Sequence, residues 1–292
     1  MIAPPRGGET NCPGKGTTSV RSPLGSSTGL HNPFRQGRFG LAMPRVSILM
    51  PVRDRVRFLE AAVRSVRTQS FADLELLVMD DGSTDGSADL ADRLADGDSR
   101  VRVLRRSPRG VSPVLAELYA LARGEFIGVV DSDDLLVKSA LEKCVGALDA
   151  DPAVGVVYTQ HLIIDEQNQA KGLGYRSTIP FDKDRLLVEF MTLAFRLVRA
   201  DAYRASGGVD PTLPAAPDYD LCLKLSEVTA FRRIDEPLYL YRVHPGMISK
   251  SRRTEQLEAS RLAVERALVR RGLNATYRLD VDAAGQFRLV PR

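Results

Sequence analysis

The chain has 292 residues, with 41 basic and 37 acidic side chains, and 43% of its residues are hydrophobic. This length is sufficient to bury one large α/β core. The net charge of +4 comes entirely from residues 1–43, because the rest of the chain carries 36 basic and 36 acidic side chains. That balance excludes a general electrostatic attraction to nucleic acid or to an anionic membrane.

Cysteine usage and hydropathy restrict the cellular context. Cys12, Cys144 and Cys222 are too few and too scattered for a disulfide framework, and no pair has metal-ligand spacing. No apolar run is long enough to span a bilayer, and the N-terminus lacks the apolar stretch of a secretory signal. We expect a cytoplasmic protein without a transmembrane segment. Peripheral contact with an acceptor at the inner face of the membrane stays open.

The chain divides into three parts by composition. Residues 1–43 are rich in Gly, Pro, Ser and Thr, which predicts a disordered low-complexity tail. Met43 directly precedes the first strand, so it is a candidate initiator, and the segment before it is a candidate misassigned start. We expect a catalytic domain at 44–250 and a C-terminal extension at 251–292.

From residue 46 onward, the pattern alternates between strands and helices. The sequence predicts strands at 46–50, 74–79, 101–104 and 125–130, and helices near 56–66, 86–95, 113–123 and 138–149. Such alternation predicts an α/β fold with a mostly parallel sheet flanked by helices.

The second half of the chain is less regular. Two further strands are expected at 154–158 and 161–164, followed by a turn at 166–169, and the alternation stops beyond residue 180. An amphipathic helix over 252–271, with Gly272 as its C-cap, precedes a weakly alternating segment at 275–290 that is compatible with a hairpin.

Two aspartate clusters follow predicted strands. One is Asp80-Asp81, and the other comprises Asp131, Asp133 and Asp134. Ligands of open α/β sheets bind at the carboxyl ends of the strands, so we expect both clusters on one edge. Crowded carboxylates are unfavourable without a positive partner, and hard oxygen donors suit Mg²⁺ or Mn²⁺ together with diphosphate oxygens. The clusters therefore predict a metal–diphosphate site.

A purely structural interpretation competes with this one. The segment Asp81 to Ser87 also has good turn and N-cap chemistry, and Asp133 or Asp134 could cap the following helix. The order and spacing of the two clusters favour the functional interpretation.

The motifs together resemble the inverting family 2 glycosyltransferases of GT-A fold. The resemblance covers about residues 45–245 and runs through VSILMPVRDR (46–55), SVRTQSF (65–71), VMDDGSTD (78–85), GEFIGVVDSDD (124–134), GGVD (207–210), DYDL (218–221) and YRVH (241–244). It implies a Rossmann-like nucleotide-diphospho-sugar transferase.

The resemblance also implies roles for individual residues. The donor-nucleotide pocket would comprise Pro51, Val52, Arg53, Asp54, Asp81, Asp131 and Ser132. A divalent cation, Mg²⁺ or Mn²⁺, would be held by Asp133, Asp134 and His244, although a lone histidine could equally pack or cap a loop. Asp218 matches the proposed general base, which would deprotonate the acceptor hydroxyl.

Two departures from the family pattern stand near these residues. Pro217 occupies a position where the family usually has glutamate, and Arg53-Asp54 replaces a frequent aromatic-asparagine pair. The predicted activity is inverting transfer from a nucleotide-diphospho-sugar, expected to be a UDP-sugar, to a hydroxyl of a glycan, lipid-linked or protein acceptor. Cell-envelope or extracellular glycan synthesis is expected by family analogy.

Two alternatives differ from this function. A non-catalytic nucleotide-sugar-binding protein of the same fold is suggested by Pro217. A sugar nucleotidyltransferase would need a Gly-rich phosphate loop after the first strand, and the segment 52–55 contains no glycine.

Overall fold

A computed structural model describes residues 43–247 and 252–292. The predicted low-complexity tail, except for Met43, lies outside the described residues. The described part contains a nine-stranded sheet, flanking helices and a separate two-stranded hairpin.

The strands alternate with helices in the first half of the chain, as predicted. The strands are β1 (Val46–Val52), β2 (Leu74–Asp80), β3 (Val101–Arg105), β4 (Phe126–Val129), β5 (Leu135–Leu136), β6 (Val154–Ile164), β7 (Ala170–Leu173), β8 (Arg196–Arg199), β9 (Ala230–Arg242), β10 (Tyr277–Val281) and β11 (Phe287–Pro291). The α-helices are α1 (Val56–Arg67), α2 (Ser87–Ala95), α3 (Val111–Leu121), α4 (Ala140–Asp149), α5 (Ala200–Ala205), α6 (Pro217–Val228) and α7 (Arg253–Arg270). Short 3-10 helices cover Tyr175–Thr178 and Arg185–Leu187.

The main sheet has the order β3-β2-β1-β4-β8-β6-β9-β5, with β7 paired to β6. The strands β3, β2, β1 and β4 are parallel, which confirms the prediction for this half of the sheet. The rest is mixed, because β8 runs antiparallel to both β4 and β6 while β9 is parallel to β6. Reversal at β8 brings its first residue to the edge where β4 ends.

Burial explains why these segments form a sheet. All seven residues of β2 and six of seven in β1 are buried, as expected for parallel strands covered on both faces. The apolar face of α1 is buried through Phe58, Leu59, Ala62, Val63 and Val66 at helical spacing.

The second half differs from the prediction in its strands. Strand β6 is continuous over 154–164, where two strands were expected, while the turn after it is confirmed. The long strand β9 was not predicted. In the sequence, Pro237 and a run of charged residues argue against a strand here. In the structure, the pairing register of β6 and β9 shifts next to Pro237, and such an irregularity can accommodate a proline.

The C-terminal helix and hairpin are confirmed. Helix α7 ends before Gly272, whose φ of +68° lies in the left-handed region, and the amide of Leu273 donates to the carbonyl of Leu268 at 2.8 Å. This is the expected glycine C-cap. The helix packs Ala263, Val264, Ala267 and Leu268 against a cluster that includes Tyr219 and Leu223 of α6.

Candidate active site

Both aspartate clusters lie at the carboxyl edge of the parallel strands. Val52 of β1 pairs in register with Asp80 of β2, and β4 on the other side of β1 ends two residues before Asp131. The predicted convergence of the clusters on one edge is therefore confirmed.

Part of the first cluster has the structural role that the turn chemistry indicated. Asp80 is 3% exposed, and its Oδ2 accepts hydrogen bonds from the amides of Gly82 and Ser83, each at 3.1 Å. Asp85 accepts from the amide and hydroxyl of Ser87 at the start of α2. These two carboxylates fix the loop after β2.

Asp81 anchors a neighbouring loop. Its two carboxylate oxygens accept hydrogen bonds from the amides of Arg109 and Gly110, at 2.7 and 2.9 Å. The same loop approaches Gly82 closely: a Cβ there would lie 2.6 Å from Pro108, and the φ of +73° also favours glycine. Each oxygen retains a further acceptor position. The predicted contact of Asp81 with a base N–H stays a prediction.

The segment after β1 supplies the other predicted nucleotide contacts. Pro51 and the buried Val52 end the strand, and the carbonyl of Val52 accepts from the amide of Asp81 at 2.8 Å. Arg53 is half exposed, with Nη1 3.5 Å from Asp81 Oδ2. Asp54 has a left-handed φ of 51°, and its Oδ1 accepts from the amide of Thr84 at 2.8 Å.

Asp131 is exposed to solvent, and its neighbour Ser132 is buried. The amide of Asp131 donates to the hydroxyl of the fully buried Tyr239, at 3.2 Å. Although Asp131 still reaches solvent, partial loss of hydration beside the protein, together with the nearby carboxylates of Asp133 and Asp218, raises its pKa to about 7. A nearby cation would favour its charged form.

Asp133 is the meeting point of two basic side chains. Its Oδ2 accepts from Nε of Arg55 at 2.8 Å and lies 3.0 Å from Nε2 of His244. The His244 ring is 6% exposed and packs against Phe58, with 4.8 Å between ring centroids. His244 therefore combines the predicted contact with this cluster and the packing role left open for it.

Asp134 is placed differently from Asp133. It is 1% exposed, and its Oδ1 accepts from the amide of Arg242 at 2.7 Å. Burial and the charges of Asp131 and Asp133 raise its pKa well above the ordinary value. In this arrangement Asp134 ties β9 to the loop after β4, and the predicted metal ligation by Asp134 has no support from its contacts.

The predicted base lies at the start of α6. Asp218 has a side chain 39% exposed, and its Oδ2 lies 3.6 Å from Nη2 of Arg196. Asp220 is fully buried, with Oδ2 2.6 Å from Nζ of Lys224 one turn on. The two aspartates point into different environments, as their two-residue separation on a helix predicts.

The described residues contain no group of three or more His, Cys, Asp or Glu side chains close enough to hold a metal ion by themselves. Mg²⁺ sites commonly use one or two carboxylates and complete their shell with substrate phosphates. Asp131 and Asp133, with His244 beside the latter, fit such an incomplete set.

Two arginines at this edge were missed in the sequence. Arg55 donates to Asp133 and also to the carbonyls of Arg53, Asp54 and Gly246. Arg196 contacts Asp218. A usable signal existed for Arg196, because it interrupts an apolar run between Phe195 and Leu197. None existed for Arg55, because its acidic partner Asp133 lies 78 residues away in the chain.

This sheet topology, with its acidic edge, is that of the GT-A fold. Residues 47–207 match the model of Glycosyl transferase family 2, and the chain belongs to this family. It is therefore a glycosyltransferase.

Similar proteins include bacterial glycan-building enzymes. The chain is 30% identical to the chondroitin synthase of Escherichia coli over 231 residues, covering 79% of this chain and 34% of the synthase. It is 33% identical to the O-antigen biosynthesis protein RfbC of Myxococcus xanthus, covering 77% of this chain and 18% of RfbC. The chain thus spans about a third of the length of the synthase and less than a fifth of the length of RfbC.

Solved structures share the fold at low identity. S. aureus TarS 1–349 in complex with UDP-GlcNAc aligns with a TM-score of 0.62 at 18% identity, covering 77% of this chain and 66% of that one. The mannosyltransferase PcManGT from Pyrobaculum calidifontis, in complex with GDP-Man and Mn²⁺, aligns with a TM-score of 0.61 at 18% identity, covering 81% and 68%. No helix within 43–247 or 252–292 is long and apolar enough to cross a membrane.

Proposed function

We propose that this chain transfers a sugar from a nucleotide-diphospho-sugar to an acceptor hydroxyl, with inversion at the anomeric carbon. The observation that carries the proposal is the gathering of Asp131, Asp133 and Asp218 at one edge of the sheet. A UDP-sugar is the expected donor. TarS binding UDP-GlcNAc in the same fold supports this choice.

A divalent cation, Mg²⁺ or Mn²⁺, would be held by Asp131 and Asp133 with the donor diphosphate, and His244 stands beside Asp133. Such a cation supplies stabilisation of the negative charge that grows on the leaving nucleoside diphosphate. The Mn²⁺ complex of PcManGT supports a metal in this fold. Arg55 donates to Oδ2 of Asp133 and so restricts the orientation of that carboxylate.

Asp218 would act as the general base. Its partly exposed carboxylate can accept the proton of an acceptor hydroxyl while that oxygen attacks the anomeric carbon opposite the diphosphate. Attack from the opposite side inverts the configuration. Asp220 is engaged with Lys224 in the protein interior and takes no part in this chemistry.

Nucleoside diphosphate release tests the proposal. The acceptor is unknown, so water serves as the acceptor in this assay, and Asp218 would take the proton of the attacking water as it would that of an acceptor hydroxyl. The purified protein is incubated with Mn²⁺ and a panel of UDP- and GDP-sugars. We expect turnover of at least one donor and a fall of about 10²-fold or more in Asp218→Asn with donor affinity retained. Asp220→Asn is the matched control on the same helix and should affect stability more than rate. Turnover of Asp218→Asn at the wild-type rate would remove the base assignment.

The non-catalytic alternative predicts a different result. A binding protein of this fold would bind the donor without releasing nucleoside diphosphate, in the wild type and in both variants. The acceptor is proposed as a glycan, lipid-linked or protein hydroxyl, and glycan synthesis by the chondroitin synthase and RfbC relatives supports the first of these. A cytoplasmic location stays a prediction.

A further inference from the structure

Arg196 is a charged residue between two buried apolar neighbours in sequence. It opens β8 between Phe195 and Leu197, which are fully buried, and its own side chain is only 14% exposed. Enclosing a guanidinium costs free energy unless it finds partners. Its contacts therefore indicate what the charge is for.

Two contacts fix the guanidinium independently of the proposed base. Nη1 donates to the carbonyl of Thr192 at 2.7 Å, and the guanidinium carbon lies 5.5 Å from the centroid of the Phe190 ring. Phe190 in turn packs against Tyr219, with 4.7 Å between ring centroids. Since Tyr219 follows Asp218 in α6, these contacts tie the arginine to the first turn of that helix.

The third contact reaches the proposed base itself. Nη2 lies 3.6 Å from Oδ2 of Asp218, whose side chain is 39% exposed. Arg196 also lies near the donor side, because β8 begins at the edge where β4 ends. Arg196 lowers the pKa of Asp131 and Asp218 raises it, so both charges are within electrostatic reach of that carboxylate.

We propose that Arg196 is a positioning residue, which holds Asp218 in the orientation needed to take the acceptor proton. This inference rests on the proposed role of Asp218 as base. Pro217 contributes no side-chain charge beside Asp218, and its ring fixes only the backbone at the start of α6. The orienting contact therefore comes from β8.

The distance of the pair suits this task. A short hydrogen bond from the guanidinium would stabilise the charged carboxylate and oppose proton uptake. At 3.6 Å the attraction is weaker, and the carboxylate oxygens stay open to an acceptor hydroxyl.

The charge balance of the reaction also favours the arrangement. The bond between the acceptor oxygen and the anomeric carbon forms, and the bond from that carbon to the diphosphate oxygen breaks with its electron pair leaving on the diphosphate. The acceptor proton moves to Asp218. Neutralisation of Asp218 leaves the positive charge of Arg196 uncompensated while negative charge grows on the diphosphate, and the two attract.

A double-mutant cycle tests whether Arg196 acts through Asp218. Nucleoside diphosphate release is measured for wild type, Arg196→Gln, Asp218→Asn and the double variant, with the donor that the wild type turns over. We expect Arg196→Gln to lower kcat about tenfold or more with the donor KM within about twofold. In the Asp218→Asn background the same change should alter the rate by less than about twofold. Arg196→Lys should recover part of kcat.

Three results would overturn the inference: an equal loss in both backgrounds, a raised donor KM at unchanged kcat, or no change in kcat. Arg199→Gln is the control on the same strand. Arg199 donates to the carbonyl of Val154 at 2.9 Å, so the effect of its replacement on stability should be additive with that of Asp218→Asn. Melting temperatures show whether Arg196→Gln misfolds. If it does, Arg196→Lys replaces it in the double-mutant cycle. Turnover of Asp218→Asn at the wild-type rate would refute the base assignment itself. If Asp218→Asn is impaired but Arg196→Gln has the same effect in both backgrounds, the base assignment stands and only the role of Arg196 is refuted.

Discussion

Nε2 of His244 lies 3.0 Å from Oδ2 of Asp133, which joins two residues 111 positions apart in the chain. Nε of Arg55 contacts the same oxygen at 2.8 Å. The Asp133 carboxylate thus contacts both the loop after β1 and the loop after β9. Its negative charge stabilises these contacts and would also attract a cation that binds there.

Asp133→Asn should abolish Mn²⁺-dependent binding of UDP while the fold persists. The variant loses its ion pair with Arg55 but also relieves the repulsion that raises the pKa values of Asp131 and Asp134. We therefore expect little net change in melting temperature. Calorimetric titration of UDP with and without Mn²⁺ measures the effect.

Asp134→Asn is the matched control for that experiment. Burial raises the pKa of the Asp134 carboxyl well above its ordinary value, and an asparagine oxygen can still accept from the amide of Arg242. Mn²⁺-dependent binding should persist in this variant. Retained binding in Asp133→Asn, together with loss in Asp134→Asn, would move the cation site to Asp134.

The metal-free protein should lose stability as pH rises, through Asp131. Its folded-state pKa of about 7 exceeds the ordinary value of 3.8, so the native state binds more protons than the unfolded state between these values. Stability then falls with increasing pH across this window and levels off above it. Asp131→Asn should raise the melting temperature clearly at pH 8 and little at pH 4.5. An equal change at the two pH values would contradict the raised pKa.

Glu75→Gln should destabilise the fold by about 2–4 kcal/mol, because it weakens a buried charge network. Glu75 is 2% exposed and accepts from the hydroxyl of Ser47 and from the amide and guanidinium of Arg123. The site lies at the opposite ends of these strands, so turnover should persist. Urea unfolding measures the loss, and the half-exposed Glu125→Gln should change stability by less than about 1 kcal/mol. Equal losses of stability in Glu75→Gln and Glu125→Gln would show that burial does not determine the contribution of these carboxylates.

Leu268→Ala tests whether the C-terminal extension supports α6. Leu268 is 3% exposed in the cluster that joins α7 to α6, and its truncation should cost about 2–5 kcal/mol in unfolding free energy. Leu262→Ala, at 38% exposure on the same helix, should cost under about 1 kcal/mol. Chemical denaturation of both variants compares them directly. A small loss in Leu268→Ala would mean that α7 contributes little to the domain.

Local sequence patterns determined the parallel half of the sheet and the position of its acidic edge. The strands β1, β2 and β4 are mostly apolar, and each aspartate cluster lies at or just beyond the end of its strand. Because parallel strands end at a common edge, their order alone brings Asp80-Asp81 and Asp131 together. Gly272 likewise marked the C-terminal end of α7 in the sequence.

Tertiary structure decided which of the acidic side chains are paired, buried or open. Asp133 and Asp134 are neighbours in sequence, yet one meets Arg55 and His244 while the other is buried against β9. Arg196 reaches Asp218 only because β8 reverses direction beside β4. Such contacts join residues that are distant along the chain, and their geometry follows from the path of the backbone between them. Residue spacing in the sequence therefore carries no record of these pairings, whereas strand and cap signals are local and can be read directly.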